Sequence, residues 1–366
     1  MSAVPIHDVR AAAYEIPTDA PESDGTLEWN STVLVVVEVE AGGRTGLGYT
    51  YAHPAAVPVV TGKLAGIVHW RDAFDVRAAW TAMVHEVRNI GATGLVAMAV
   101  SAVDAALWDL KARLLDVPMV VAIDAAREVV PVYGSGGFTS YDDERLAEQL
   151  AGWVEEGIPR VKLKTGRDPQ RDHDRLRVAR KAVGDDTELF VDANGAFSAR
   201  EAIEWARIYH HEHGVRWFEE PVSSDDLAGL RLVRERAPGG IDITAGEYAW
   251  APWIAEAMLA AEAVDCVQID VTRCLGITGF LAVAASSEAH QLDVSAHCAP
   301  QQSAHVCAAV RRLRHLEYFH DHNRIESMLF DGVLTPEAGG VLRPDRARAG
   351  HGLSFKSADA ERFRVA

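Results

Sequence analysis

Charged residues end the apolar runs of Val161-Lys162-Leu163-Lys164, Phe190-Val191-Asp192-Ala193-Asn194, Trp217-Phe218-Glu219-Glu220-Pro221 and Ile243-Thr244-Ala245-Gly246-Glu247. The charges recur at intervals of 28, 27 and 28 residues, counted from Lys164 through Asp192 and Glu219 to Glu247. Such an interval is about the length of one strand, one helix and their loops. Because successive strands of a parallel barrel end at the same face, the pattern predicts one pocket that holds these three carboxylates and two lysines.

The composition indicates a soluble protein with two structural domains. Its 366 residues suit a barrel of roughly 200 to 250 residues plus a smaller domain. With 48% hydrophobic and 24% charged residues the profile is globular, and no apolar run reaches the roughly 18 residues of a membrane span. Residues 1–15 have neither the basic leader nor the apolar block of a signal peptide, so a cytoplasmic location is expected.

The charge balance points to a small-molecule partner. There are 36 lysines and arginines against 53 aspartates and glutamates, a net charge of −17, which disfavours nucleic acid or an anionic membrane as a partner. An anionic substrate must then be attracted locally, by lysines and a metal. The 4 cysteines form no Cys-x-x-Cys pair, which argues against a zinc ribbon or disulfide scaffold and predicts reduced packing residues.

Residues 1–125 are predicted to form an α+β domain that opens with a hairpin. A β-rich run at 31–40 leads through Gly42-Gly43 to a second strand ending near Tyr51. The preceding segment 17–29 is polar and interrupted by proline and glycine, which predicts a long loop that is mobile or functional. Apolar residues at helical spacing over 93–115 predict a long, mostly buried helix.

A strand-helix rhythm fills residues 126–323. Strands are predicted at 129–133, 160–164, 188–192, 216–220, 242–246, 266–270, 292–296 and 315–319. Eight strands with parallel crossovers favour a closed α/β barrel over an open sheet. Residues 324–366 are rich in glycine and proline and are expected to pack back on the N-terminal domain.

The two lysines have a functional and a structural interpretation. Side chains alternate along a strand, so Lys162 and Lys164 share one face and are predicted to point into the barrel mouth. Two neighbouring ammonium groups depress each other's pKa, which favours a lysine base. The alternative is a pair of surface lysines on an edge strand.

The three carboxylates are predicted to bind a metal. A lone buried charge at a strand end is costly, and a shared cation would hold Asp192, Glu219 and Glu247 together. Oxygen ligands suit Mg²⁺ better than zinc. The alternative is that each caps the following helix, but three in register favour the metal. Glu220 adjoins Glu219 and faces the other way, so we assign it a supporting role behind the ligand.

The same rhythm continues to Asp270, His297 and Glu317. A carboxylate that hydrogen-bonds a histidine orients the ring and stabilises its protonated form, which gives an acid/base opposite the lysines. A structural histidine is the alternative reading. Glu317 is either a substrate hydrogen-bond partner or a helix cap. The run 210–213, His-His-Glu-His, is interpreted as a solvated helix end.

Taken together, these residues resemble the enolase superfamily and, within it, the mandelate racemase subgroup. The motifs that carry the resemblance are Lys162-Leu163-Lys164, Val191-Asp192-Ala193-Asn194, Glu219-Glu220-Pro221, Gly246-Glu247, Asp270, His297 and Ala106-Leu107-Trp108-Asp109-Leu110-Lys111. The resemblance implies a (β/α)₇β TIM-like barrel with an α+β capping domain, and Mg²⁺ bound by Asp192, Glu219 and Glu247. It also implies abstraction of the proton α to a carboxylate through an ene-diolate.

The resemblance assigns further roles. Lys164 is similar to the base on one face of the α-carbon, and the Asp270/His297 dyad is similar to the acid/base on the other. Lys162 and Glu317 are expected to contact the substrate carboxylate. Asn194, Trp29 and Tyr51 are also predicted to contact substrate; the last two lie in loops, 24–29 and near 51–53, that are expected to close over it.

One departure concerns the segment 272–276, which has one glycine where many relatives have two. Arg273 within it either lines the mouth and contacts a second anionic group or points to solvent; both readings stay open.

The expected activity is dehydration of a sugar acid to a 2-keto-3-deoxy acid, in carbohydrate acid catabolism. The alternative is a racemase or epimerase of a 2-hydroxy acid, and a third possibility is a non-catalytic metal-binding scaffold. A homo-oligomer is expected, because this fold commonly assembles.

Overall fold

The N-terminal part of the chain is an antiparallel sheet covered by helices. The computed structural model describes residues 3–366. The strands are β1 (Ile6–Ser23), β2 (Glu28–Ala41) and β3 (Arg44–Tyr51), paired in that order. The helices are α1 (Ala56–Val59), α2 (Ala65–Val68), α3 (Val76–Glu86), α4 (Leu95–Leu115) and α5 (Met119–Ala122), with a π-helical turn at Val60–Leu64. We call this part the cap.

The second part is a closed parallel barrel. Its strands are β4 (Val130–Gly136), β5 (Arg160–Lys164), β6 (Glu188–Asp192), β7 (Val215–Glu219), β8 (Asp242–Ala245), β9 (Cys266–Ile269), β10 (Asp293–Ala296) and β11 (Leu313–Phe319). The helices between them are α6 (Asp143–Glu155), α7 (Pro169–Val183), α8 (Ala199–His213), α9 (Leu227–Arg236), α10 (Pro252–Ala260), α11 (Gly276–Ala289) and α12 (Pro300–Ala308). Each strand pairs with the next, and β11 pairs with β4, which closes the ring. The predicted (β/α)₇β barrel with its cap is thereby confirmed.

The strand register brings the charged residues to one level. Lys164 lies opposite Asp192, and Asp192 lies opposite Glu219. Two residues below them, Phe190 and Trp217 stack with ring centroids 5.5 Å apart and fill the barrel interior. Because inward side chains alternate with outward ones, the apolar layer seals the barrel beneath the charged layer.

The cap departs from the prediction at residues 17–29. Instead of a long loop, β1 and β2 continue as a ribbon in which Glu22 pairs with Trp29, and the chain turns only at residues 24–27. β1 is the edge strand of its sheet, so Pro17 and Pro21 can stand in it without breaking an inner ladder. A register shift between Pro17 and Glu22 absorbs the mismatch in strand length.

The predicted long helix is confirmed as α4, and it fixes the cap sheet above the barrel. A Cβ at Gly46 or Gly48 would lie 2.2 Å from the carbonyl oxygens of Ala106 and Ala102, so only glycine permits this close contact with α4. On the opposite side, Asp104 accepts hydrogen bonds from the Thr278 backbone at 2.9 Å and the Thr278 hydroxyl at 2.7 Å. The helix therefore ties the cap to α11 of the barrel.

The C-terminal segment leaves the barrel through a helix that the sequence analysis did not predict. Its elements are α13 (His320–Leu329), β12 (Phe330–Asp331), β13 (Val341–Leu342), β14 (Ser354–Phe355), α14 (Ser357–Ala360) and a 3₁₀ turn at Glu361–Phe363. Arg364 forms an isolated β-bridge with Tyr14 of β1, so the end of the chain lies against the cap sheet. All 4 cysteines are buried and free. Across residues 3–366 we find no helix that combines the length and apolarity needed to cross a membrane.

Candidate active site

Three carboxylates converge at the C-terminal mouth of the barrel. Asp192 and Glu219 end β6 and β7, and Glu247 follows β8 after a turn at Gly246. One oxygen from each lies within 4.8 Å of the other two, and all three side chains are buried. Glu247 Oε2 is sealed from solvent and has no hydrogen-bond partner. A buried set of oxygen donors with an unsatisfied atom fits a hard divalent cation such as Mg²⁺.

The two lysines lie on the inner face of β5 and pair with these carboxylates. Lys162 Nζ is 2.6 Å from Glu219 Oε1 and 2.8 Å from Glu317 Oε1. Lys164 Nζ is 2.6 Å from Asp192 Oδ2. Both lysines are buried, which excludes the alternative of surface lysines on an edge strand.

The electrostatics of the lysines differ from the prediction. Burial is the largest single influence and lowers the pKa of Lys164, but the Asp192 carboxylate, with Glu247 and Glu219, raises it by more in total. The pKa therefore ends above its ordinary value despite the nearby Lys162 ammonium. Mutual depression of the two lysine pKa values is therefore outweighed, because each ammonium group lies 2.6 Å from a carboxylate oxygen. Burial raises the pKa of Asp192, but the ammonium groups of Lys164 and Lys162 lower it by more, to about 2.

The side chains of Glu219 and Glu220 point in different directions, as those of neighbouring residues on a strand do. Burial, and then the charge of Asp192, raise the pKa of Glu219 well above its ordinary value although Lys162 opposes them. Glu220 has a left-handed backbone, φ +40°, and accepts a hydrogen bond from the Ser224 hydroxyl. Glu219 thus faces the carboxylate cluster, while Glu220 is held by the loop behind it.

A histidine dyad faces the cluster from another part of the ring. His297 Nδ1 lies 2.7 Å from Asp270 Oδ2, and the other Asp270 oxygen accepts from the Thr272 backbone at 2.6 Å. His297 Nε2 lies 3.3 Å from Glu247 and 3.5 Å from Glu317. β5 and β10 stand three strands apart around the barrel, so Lys164 and the dyad approach the mouth from different sides.

Arg273 does not point to solvent. Its Nη1 donates to Glu247 Oε1 at 3.1 Å, its Nε lies 3.4 Å from Asp270 Oδ2, and its side chain is only 18% exposed. The guanidinium also lies over the ring of Tyr248, 5.4 Å from the centroid. Arg273 therefore lines the mouth, where it connects a carboxylate of the cluster to the dyad.

Three further residues are predicted to contact substrate from around the mouth. Asn194 has φ +47° and a buried Oδ1 without a partner. Trp29 donates its indole N–H to Glu22 at 2.7 Å and packs edge-on against Phe138. Tyr51 ends β3 of the cap and is buried, with its hydroxyl 3.3 Å from Glu326. Their contacts with substrate stay predictions.

The tip of the cap ribbon is seated on the barrel mouth. A Cβ at Gly25 would lie 2.4 Å from the Ala193 carbonyl oxygen and 2.7 Å from that of Thr165. These carbonyls follow Asp192 and Lys164 directly in sequence. Only glycine at this position allows the ribbon to cover the site so closely.

We expect Gly25→Ala to lower kcat/KM by about tenfold or more, because the added methyl group lifts the ribbon from the mouth and about 1 Å of misplacement can cost up to 10²-fold. Steady-state kinetics and a thermal melt measure the effect. Gly62→Ala is the matched control, since a Cβ there meets nothing within 4 Å. Equal kinetics for the two variants would contradict a covering role for the ribbon.

The sequence analysis missed two groups adjacent to the dyad and one in the cap ribbon. Cys298 Sγ lies 3.2 Å from His297 Nε2. Glu22 is buried in the cap ribbon, where burial raises its pKa to about 8. His322, on α13, contacts the loop after His297. The only available signal was proximity in sequence to a motif for Cys298; the other two depend on tertiary contacts.

Comparison with known proteins assigns the two parts of the chain to families. Residues 12–123 match the mandelate racemase / muconate lactonizing enzyme N-terminal domain, and residues 145–360 match the enolase C-terminal domain-like family. A crystal structure of a mandelate racemase/muconate lactonizing enzyme-like protein from Rubrobacter xylanophilus is 52% identical, with TM-score 0.96 over 99% of this chain and 100% of that one.

Two characterised proteins are also similar. The 3,6-anhydro-alpha-L-galactonate cycloisomerase of Streptomyces coelicolor is 32% identical over 95% of this chain and 96% of its own length. The L-talarate/galactarate dehydratase of Salmonella typhimurium, in a crystal structure with Mg and L-lyxarohydroxamate, is 25% identical with TM-score 0.90 over 100% of this chain and 94% of that one.

Proposed function

Because this chain belongs to the mandelate racemase / muconate lactonizing enzyme family of the enolase superfamily, we propose that it dehydrates a sugar acid to a 2-keto-3-deoxy acid. It is an enzyme of this superfamily, and Mg²⁺ is its cofactor. The observation that carries the proposal is the pair of proton-carrying groups, Lys164 and His297, on different sides of one carboxylate cluster.

Asp192, Glu219 and Glu247 are the proposed ligands. When bound there, Mg²⁺ supplies the positive charge that makes a proton α to a carboxylate acidic enough to remove. Lys162 lies between Glu219 and Glu317, where its ammonium group would stabilise negative charge developing on the substrate carboxylate.

The proposed reaction uses the two acid/base groups in sequence. Lys164 in its neutral form removes the α-proton, and the electrons of the broken C–H bond form the ene-diolate. A cation held by Asp192 would offset the carboxylate charge that raises the pKa of Lys164, and so would favour this neutral form. His297, protonated on Nε2 and held by Asp270, gives a proton to the β-hydroxyl, and the C–O bond breaks with loss of water. The enol that remains becomes the 2-keto acid.

An unpaired polar atom near the carboxylate cluster favours a polyhydroxylated substrate over an apolar one. Asn194 Oδ1, two residues after Asp192, is buried without a hydrogen-bond partner. Such an atom is costly unless a ligand satisfies it, and a sugar hydroxyl can do so. The named relatives that act on galactonate and galactarate derivatives support the same substrate class.

The alternative is a racemase or epimerase, in which Lys164 and His297 exchange the α-proton across the two faces without loss of water. The placement of the two groups on different sides of the site is compatible with this reaction too. The cytoplasmic location, the homo-oligomeric state and a role in carbohydrate acid catabolism stay predictions from the sequence.

Incubation with a panel of aldonic, aldaric and anhydroaldonic acids, Mg²⁺ and D₂O should separate the reactions. We expect a ketone product that has lost the mass of one water. Deuterium at the α-carbon with inverted configuration and no mass loss from dehydration would identify a racemase instead. No reaction across the panel with metal bound would favour the scaffold hypothesis.

His297→Asn provides the matched test of the reaction order. It should abolish ketone formation, because no acid remains for the departing hydroxyl, while Lys164 can still exchange the α-proton with D₂O. Mass spectrometry of the recovered substrate measures that exchange. Full dehydration by this variant would contradict the role proposed for the dyad.

A further inference from the structure

His322 contacts the loop that follows His297 of the dyad, and one of its ring nitrogens already has a hydrogen-bond partner. Its Nδ1 accepts a hydrogen bond from the Ala299 backbone N–H at 3.2 Å. An accepting Nδ1 carries no proton, so in the neutral ring the proton must reside on Nε2. The contact with Ala299 therefore makes His322 a hydrogen-bond donor of fixed tautomer.

The ring of His322 is held rigidly between the two parts of the molecule. Tyr51 of the cap stacks on it with centroids 3.4 Å apart and an interplanar angle of 7°, and Phe319 meets it edge-on at 5.0 Å. The Tyr51 hydroxyl lies 3.3 Å from Glu326 on the same helix as His322. A donor held in this way loses little conformational entropy when it binds a ligand.

The donor itself is unpaired. Within residues 3–366, Nε2 of His322 makes no protein hydrogen bond, although the residue is only 6% exposed in the chain as a whole. The Nε2 atom is not fully sealed from solvent, so it retains access to open space. A nearly buried N–H without a partner calls for an explanation.

Ala299, the hydrogen-bond partner of His322, lies two residues after His297, so the ring is adjacent to the candidate active site. Burial lowers its pKa to about 3, and the charges acting on it include Asp270, His297 and Arg273. The ring is thus neutral near pH 7 and can donate a hydrogen bond without competing with His297 as an acid.

We propose that His322 is a substrate-binding residue whose Nε2–H donates a hydrogen bond to a hydroxyl group of a polyhydroxylated acid, and so contributes to specificity for sugar acids. This inference rests on the proposed function. The hydroxyl groups that His322 would bind lie on carbons beyond the α- and β-carbons, because Lys164 and His297 already act at those two reacting carbons.

Two substitutions separate substrate binding from a structural role. The Oδ1 of His322→Asn can still accept from Ala299, but this side chain lacks a donor at the Nε2 position. The amide of His322→Gln reaches the Nε2 position, but it abandons Ala299. If His322 binds substrate, the Asn variant should lose about tenfold in kcat/KM at an unchanged melting temperature, and the Gln variant should retain more of its activity.

Binding of two unreactive probes tests the inference without turnover. Calorimetry with Mg²⁺ should show that His322→Asn weakens lyxarohydroxamate about tenfold and leaves glycolohydroxamate, which lacks the distal hydroxyls, unchanged. Equal weakening of both probes, or of neither, would overturn the proposal for His322. Failure of the wild type to convert any acid would overturn the proposed function alone, since the probe measurement does not depend on turnover.

Discussion

Lys164→Ala is expected to reduce turnover by about 10²- to 10⁴-fold, the range that a positioned general base contributes. Lys164 is buried, and its Nζ lies 2.6 Å from Asp192 at the mouth of the barrel. No other lysine of β5 can substitute, because Lys162 is already held between Glu219 and Glu317. Ketone formation under single-turnover conditions measures the loss, and α-proton exchange in D₂O should fall with it.

The fold should survive this substitution, since the lost ion pair belongs to the site and the apolar layer of the barrel lies below it. Lys164→Arg sharpens the test, because arginine keeps the positive charge beside Asp192 but cannot act as a base near neutral pH. Lys181→Ala, on the exposed surface of α7, is the matched control. Full activity in either Lys164 variant, at an unchanged melting temperature, would refute the assignment of the base.

The barrel could be predicted because its signal is local and repeated. The strands that end in Lys164 and Asp192 were predicted with the bounds that β5 and β6 have. A buried parallel strand is a short apolar run, and a charge at its end marks the level of the site. The convergence of Asp192, Glu219 and Glu247 then follows from topology alone, without any knowledge of the loops.

The cap and the rim of the site could not be predicted in the same way. The ribbon at residues 17–23 contains prolines and polar residues that read as a loop, and only pairing with β2 makes it a strand. His322 depends on a helix after β11 and on a contact with Ala299, 23 residues away in sequence. The raised pKa of Lys164 likewise depends on the distance to Asp192, which the sequence does not contain.

The choice between Glu219 and Glu220 as metal ligand leads to the second large effect. Glu219 faces Lys162 and Asp192, whereas Glu220 turns away to the Ser224 hydroxyl. Burial and neighbouring carboxylates raise the pKa of both glutamates, so the pKa does not distinguish them, whereas only Glu219 places an oxygen within 4.8 Å of both Asp192 and Glu247. We therefore expect Glu219→Gln to abolish tight Mg²⁺ binding.

The melting temperature reports Mg²⁺ binding, because an ion that binds only the folded state stabilises that state. The stabilisation is about 2.7 kcal/mol when the ion concentration is 100 times the Kd. Wild type should gain this increment on addition of Mg²⁺ and lose it with a chelator, while Glu219→Gln should show none. Glu220→Gln is the matched neighbour and should keep most of the increment, since its partner is a hydroxyl and not the ion. The reverse pattern would be loss of the increment in Glu220→Gln and its retention in Glu219→Gln. That result would identify Glu220 as the metal ligand and would place the site on the other face of β7.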